Sequence, residues 1–389
     1  MEFGFTKEDL SFRAQVIQFM EKEVTPEAVA DVESGLGLQP AIKAFNKKLG
    51  AKGWLTVTWP REYGGIGGTH VQKLIVDEAR AYYRVYDVVE PLVGAGMAGP
   101  IILMFGSEEQ KREYLPPIAA GEIEFALGYT EPQAGSDLAA LDIRAVLKGD
   151  EYVLNGQKLF NTGVHFSDFH WLGVRTDPDA PKHKGVSLLI VDLKSPGISI
   201  SPLWAMNGMR TNVVYYDNVR VPKRNLVGEP GKGFYYIAKA LDFERIFPVT
   251  DLVRSLEELV EYLKQTRANG SQLANDALVR QRVAEMAVEL EAARLLTYQI
   301  AWKIDQGSIP NYESSMLKLY ASEMAQRMAI LAAQILGPLG QLREGGHRTP
   351  LHGHWSRNYL RGIIRPIVGG TSEIQRNIIA TRGLGLPRG

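Results

Sequence analysis

The spacing of apolar positions changes twice along the chain. Residues 1 to about 123 read as mainly helical. Thr6 is placed to cap a helix, with Asp9 in its first turn and apolar positions at Leu10, Val16, Ile17 and Met20. A glycine-rich break, Tyr63-Gly64-Gly65-Ile66-Gly67-Gly68-Thr69, precedes a further helix. It follows no strand and lacks a Lys-Ser/Thr pair, so it reads as a connector and not as a phosphate loop. Gly106-Ser107-Glu108-Glu109-Gln110 predicts a cap and a new helix. From about 124 to 235 the pattern is that of strands. Tyr152-Val153-Leu154-Asn155-Gly156-Gln157-Lys158 predicts a hairpin turning at Asn-Gly. Val186 to Leu193, Ile198 to Leu203 and Val213 to Val221 are β-rich and separated by Pro, Gly or Asn. Such spacing predicts a small antiparallel barrel or sandwich. After Gly231-Lys232-Gly233-Phe234 the helical period returns, with long runs at about 234–267, 276–306 and 312–336 and a shorter terminal helix. The expected fold class is therefore α+β, mainly α, in three segregated domains: 1–123 helical, 124–235 β-barrel and 236–389 four-helix bundle.

Composition narrows the chemistry. The chain has 389 residues, enough for two or three domains. Its 44 basic and 44 acidic residues cancel, so no global field draws it to nucleic acid or anionic lipid. There is no cysteine, which removes thiol nucleophiles, thiolate metal sites and disulfides. The N-terminal residues show neither a basic segment nor an apolar core, so no signal peptide is visible and a cytoplasmic protein is expected. The longest nearly uncharged stretch, Pro91 to Phe105, falls short of the roughly 20 apolar residues a bilayer span needs, so it predicts a buried helix.

One run stands out. Tyr129-Thr130-Glu131-Pro132-Gln133-Ala134-Gly135-Ser136-Asp137-Leu138 packs a proline turn, a glycine and two hydroxyls behind the apolar lead-in Phe125-Ala126-Leu127-Gly128. Hydroxyls and free N–H groups beside a glycine suit the edge and phosphates of a large polar cofactor; an ordinary capped loop fits the same residues. His347, His352 and His354 are close in sequence, but a metal needs convergent ligands and a supporting shell, so a surface loop is expected there. His165 and His170 flank Phe166 and read as satisfied polar residues or as neighbours of the cofactor.

These pieces together resemble the acyl-CoA dehydrogenase family over essentially the whole chain. The resemblance is carried by Trp59-Pro60-Arg61-Glu62-Tyr63-Gly64-Gly65, Phe105 to Lys111, Tyr129 to Asp137 and Asn155-Gly156-Gln157-Lys158 leading to Thr162. It continues through Asp217 to Pro222, Gln334-Ile335-Leu336-Gly337 and Gly370 to Arg376. It implies an FAD enzyme that dehydrogenates an acyl-CoA thioester. A base removes the α-proton while the β-hydrogen leaves as hydride to flavin N5, and electrons pass to an electron-transfer flavoprotein. It further implies a homotetramer, or a heterotetramer with a related chain.

The resemblance assigns residues as well. Many family members carry the base two residues before the Thr of the Gly-Thr-Ser/Thr loop; here that position is Gly369. Glu373 is a poor substitute, because a Ser372/Gln375 capping-box pattern puts it in a helix first turn that favours an ionised acid. Isovaleryl- and long-chain-type branches carry the base on the first helix of the last domain, and Glu244 in Ala240-Leu241-Asp242-Phe243-Glu244-Arg245 falls there. The alternative is a surface glutamate. Apolar flanks (Ile237, Leu241, Phe243, Ile246, Phe247) and Pro248, which crowds the Glu244 carbonyl, favour the base. By the same resemblance, FAD meets Tyr129, Thr130, Gly135, Ser136, Phe160 (in place of a common Trp), Thr162, Arg267, Gln334, Thr371 and Glu373. The acyl-CoA meets Ser136, Asp242, Arg245 and Gly370. Asn269 sits where Phe is usual, and Arg267 is shifted by one place. A flavin monooxygenase or oxidase, and a non-catalytic partner subunit, remain as alternative functions on the same fold. The base position favours branched, cyclic or otherwise unusual acyl groups.

Overall fold

The computed structural model describes residues 5–86, 92–244, 248–268, 270–343 and 346–387, and among these the side chains of 242–244 and 268 are not described. Helices α1 (Lys7–Glu23), α2 (Pro26–Glu33), α3 (Pro40–Ala51), α4 (His70–Tyr82), α5 (Gly99–Phe105) and α6 (Glu108–Ala119) come first. Strands β1 (Phe125–Gly128), β2 (Arg144–Lys148), β3 (Glu151–Lys158), β4 (Phe169–Arg175), β5 (Val186–Asp192), β6 (Ile198–Trp204) and β7 (Arg210–Pro222) follow. The rest comprises α7 (Gly233–Glu244), α8 (Thr250–Gln265), the short strands β8 (Arg267–Ala268) and β9 (Ser271–Gln272), α9 (Ala277–Asp305), α10 (Asn311–Leu336), α11 (His354–Ile364) and α12 (Ser372–Ile378). The chain forms two compact units: a barrel unit, Glu21–Lys73 with Val85–Glu244, and a bundle unit, Met1–Met20 with Leu74–Arg84 and Arg245–Gly389.

In the barrel unit the strands run β1-β4-β2-β3-β7-β6, with β5 beside β4. Most pairings are antiparallel, but β1 and β2 each lie parallel to β4, which departs from a wholly antiparallel barrel. The Asn155-Gly156 hairpin is corrected. Both residues lie inside β3, where the register against β7 slips between Leu154 and Gly156. Gly156 has φ 140°, so the pair serves as a bulge, while Gly149 (φ 61°) turns β2 into β3. The sheet encloses one core (Leu154, Leu172, Val174, Leu189, Val214, Val219). A second core joins Trp59, Ile101, Leu115, Phe125 and Trp171 to Ile237 and Ala240 of α7. Helix α6 starts with the expected capping box: Ser107 Oγ accepts from Gln110 N, and Gln110 Oε1 accepts from Ser107 N, both at 3.1 Å.

In the bundle unit, Leu256, Leu259, Met286, Leu290, Met324, Met328 and Trp355 form a single core. Thr6 caps α1, accepting from Asp9 N at 3.1 Å, and Asp9 Oδ2 answers from Thr6 N at 3.0 Å. The run expected as one helix over 234–267 is two. Helix α7 is described as far as Glu244 and α8 opens at Thr250; Pro248, which has no N–H to continue a ladder, lies between them outside either helix. No described helix is long and apolar enough to cross a membrane. Among the described residues no group of acidic and histidine side chains could hold a metal.

Candidate flavin site

The loop after β1 is a tight turn. Glu131 N donates to Ala134 O (3.1 Å) and Ala134 N returns to Glu131 O (3.0 Å), with Pro132 and Gln133 at the tip. Tyr129 is buried and Thr130 half-buried, while Gln133, Gly135 and Ser136 are exposed. A Cβ built on Gly135 would meet open space. The underside is held by charges that sequence reasoning left without a role. Glu131 is 4 % exposed. Its carboxylate accepts from Asp142 N (2.7 Å), Ile143 N (3.0 Å), the Gln133 amide (2.9 Å) and Lys158 Nζ (2.8 Å). Lys158, on β3, is fully buried and also donates to Tyr129 O at 3.0 Å. Burial pulls its ammonium down to about 8 against the opposing pull of Glu131. Arg175, on β4, donates to Ala139 O (2.6 Å) and to Leu141 O (2.9 and 3.1 Å).

The segment after β3 lies alongside, because Leu159 N donates to Thr130 O at 2.9 Å. Phe160 takes a left-handed backbone (φ 57°) and leaves its ring 57 % exposed. Thr162 is half-buried and its hydroxyl donates to Thr211 Oγ1 at 3.1 Å. Buried Asn161 donates its amide to Leu127 O at 2.8 Å, back onto β1. The structure therefore brings Tyr129, Thr130, Phe160 and Thr162 together. His165 is a satisfied residue: Nε2 sits 3.0 Å from Leu36 O, and Nδ1 takes the Asn212 amide at 3.1 Å. Burial lowers its pKa. His170 is wholly buried in the barrel core with Nδ1 against the Tyr216 hydroxyl, so it is a core residue.

In the bundle unit Thr371 caps α12, accepting from Ile374 N at 3.3 Å. This corrects the Ser372/Gln375 capping box. Ser372 is the first helical residue, and Gln375 instead donates to Gly369 O and Gly370 O, both at 3.0 Å. These bonds lock two successive glycines with φ 65° and 91°, a conformation that side chains with a Cβ resist. Glu373 is held below the usual carboxylate range by its own backbone N–H and the Thr371 hydroxyl, as befits a first-turn acid. Thr371 and Glu373 line a cavity of about 370 Å³ with Gln326, Arg327, Glu323 and Arg376. Gln334 is exposed on α10, its amide oxygen accepting from Arg282 at 3.1 Å. Arg267 is exposed on the β8–β9 hairpin, and neither it nor Gln334 lines that cavity. The side chains of Glu244 and Asp242, and all of Arg245 and Asn269, lie outside the described residues.

The barrel-unit residues fit a flavin. An exposed aromatic ring and two hydroxyls on a tight turn are compatible with a flat ring with a polar edge. Thr130, Ser136, Phe160 and Thr162 are the residues here that could hold such a group.

Comparison with known proteins agrees along the whole length. Residues 6–122 match the N-terminal domain of acyl-CoA dehydrogenases, 126–219 the middle domain and 231–384 the C-terminal domain. The chain is 36% identical over 393 residues to acyl-CoA dehydrogenase FadE29 of Mycobacterium tuberculosis, covering 100% of this chain and 99% of that one. It is 34% identical over 401 residues to FadE26 of the same organism, with 100% and 99% covered. Among solved structures, the Tcur3481-Tcur3483 steroid ACAD superposes with a TM-score of 0.92 at 33% identity, covering all of both chains. The ChsE4-ChsE5 complex of Mycobacterium tuberculosis does so with 0.91 at 34%, again over all of both chains. The chain belongs to the acyl-CoA dehydrogenase family and is an FAD-binding flavoprotein oxidoreductase.

Proposed function

We propose that the protein removes the α-proton of an acyl-CoA with Glu244, the β-hydrogen leaving in the same dehydrogenation. The observation that carries this reading is the assembled flavin edge: Thr130 and Ser136 on a pinned turn beside the exposed Phe160 ring and Thr162. Bound FAD supplies the acceptor for the β-hydrogen. The chain's own residues must do the rest. A thioester α-proton is weakly acidic, so its removal needs a carboxylate in a dry pocket and donors at the carbonyl oxygen. Gly369 supplies no carboxylate, and Glu373 is held ionised at a helix start. Glu244 is the last described residue of α7, whose Ile237 and Ala240 are buried, and Pro248 lies outside any helix. Asp242, Arg245, Ser136 and Gly370 are the proposed contacts of the acyl-CoA; Tyr129, Gly135, Arg267, Gln334, Thr371 and Glu373 complete the flavin's. The division 1–123, 124–235 and 236–389 is kept as the domain scheme.

The two solved proteins named above are a steroid ACAD and a complex of two chains. Together with the Glu244 position they support a bulky, branched or cyclic acyl group. They also support a tetramer that includes a related second chain, with electrons passed to an electron-transfer flavoprotein. The test is anaerobic bleaching of the flavin by a panel of acyl-CoAs. Bulky substrates should bleach it, and Glu244→Gln should keep its FAD while losing α-proton exchange. Near-normal exchange in Glu244→Gln refutes the base. Rapid reoxidation by air with peroxide points to the oxidase reading. Flavin binding only after co-expression with a related chain points to a partner subunit.

A further inference from the structure

We propose that the buried pair Glu131–Lys158 is a positioning device for the flavin: it sets the reach of the Tyr129–Ser136 turn, and through it the affinity and environment of the bound ring. The inference rests on the reading that this turn meets the flavin.

The bonds of the pair all run to one place. Lys158 Nζ donates to Tyr129 O and to Glu131. Glu131 accepts from the main chain of Asp142 and Ile143 and from the Gln133 amide. The far end of the segment 129–143 and its tip are thus tied to one carboxylate, and its near end, at Tyr129 O, to the Lys158 ammonium on β3 that also holds that carboxylate. Arg175 secures the same segment at Ala139 and Leu141. No barrel ladder passes through these groups: β3 pairs with β2 and β7 by its main chain.

A buried ion pair is weak evidence for stability, since desolvating both charges offsets most of their attraction. Well-packed apolar residues would stabilise this interior as well. What they could not do is hold four loop groups at fixed positions. The exposed side of the same turn carries Ser136 and Gly135, so a shift of the underside moves the groups facing out. Leu159, next to Lys158, donates to Thr130 O, which couples the turn to the Phe160–Thr162 segment.

Single substitutions leave one buried charge without its partner and unfold readily. The decisive variant is Lys158→Met with Glu131→Gln, which removes both charges with little change in side-chain bulk. The control is Tyr216→Phe, which loses its hydroxyl contact to His170 in the same core but removes none of the hydrogen bonds that hold the turn. The full-length protein is stripped of flavin and titrated with FAD, following flavin fluorescence, visible absorption and thermal midpoint. The expected result is a double variant with at least tenfold weaker FAD affinity and a shifted flavin absorption. Tyr216→Phe should keep wild-type affinity even at a lower midpoint. Ser136→Ala should also bind FAD more weakly. Wild-type affinity and spectrum in the double variant, with Ser136→Ala weakened, overturn the positioning role and leave the turn as a flavin contact. Wild-type affinity in both overturns the placement of the flavin on this turn, and the proposal with it. An equal loss in Tyr216→Phe and the double variant also overturns it, because general loosening then explains the effect.

Discussion

Acid should unfold this protein through two histidines that it buries neutral. Burial pulls His170 in the barrel unit down to about 3, with Lys158 adding a smaller repulsion. It pulls His354 in the bundle unit down to about 3, helped by Arg84, Arg361, Arg365 and Arg254. His354 Nε2 accepts the Asn358 amide at 2.7 Å, so a proton added there would break a bond. Each folded pKa is depressed below the ordinary 6.5. The associated stability is present above about pH 6.5 and is lost as pH falls toward 3, because the unfolded chain binds the proton first. Between pH 7 and pH 5 each site should lose about 2 kcal/mol, from roughly 1.36 kcal/mol per unit across the part of the interval below 6.5. Together they should cost about 4 kcal/mol, a large share of a typical folding free energy. The assay is urea unfolding at pH 7 and pH 5 for wild type, His170→Gln and His354→Gln. Each variant should be less stable at pH 7 but recover about 2 kcal/mol of the loss seen on acidification. If either variant loses as much as wild type between the two pH values, that histidine is not neutral by burial and the reasoning fails.

Two structural predictions complement this one. Gly99→Ala would put a Cβ 2.1 and 2.2 Å from atoms of the Trp59 ring, which is only 3 % exposed. It should destabilise by about 1–3 kcal/mol through overpacking and alter tryptophan fluorescence; an unchanged melting curve would count against the packing described. Thr371→Ala removes the cap of α12 and should lower stability by about 1 kcal/mol, whereas Thr371→Ser should keep most of it, measured by thermal unfolding with and without added FAD.

What the sequence made legible follows from how local each signal is. The caps at Ser107 and Thr6 depend on residues three apart, and both stand as read. At α12 the same kind of signal missed by one residue, because two adjacent hydroxyls, Thr371 and Ser372, compete and only backbone geometry chooses between them. Asn155-Gly156 reads as a hairpin turn because glycine tolerates unusual φ, and the structure places it inside β3. Whether that becomes a turn or a bulge depends on β7, about sixty residues on, whose Val219 and Tyr216 set the register. The parallel seating of β1 on β4 is non-local for the same reason.

The candidate site divides along this line. Its proposed outward face is written partly in residue types, since hydroxyls beside a glycine at Thr130 and Ser136 suit a polar cofactor, and partly in the family resemblance that adds Phe160 and Thr162. Its inward face is written in partners. Glu131 stood inside the quoted run and Lys158 inside the quoted Asn-Gly-Gln-Lys motif, yet neither had a role. A lone Lys at a strand end is by default solvated. It takes the register Lys158↔Val214, a position inside the barrel, to turn that lysine into a buried cation that must find a carboxylate. Once Lys158 is inside, Glu131 has to meet it, and the turn proposed to contact the flavin has to follow Glu131. The underside of this turn is thus held by a charge balance that no stretch of sequence contains by itself.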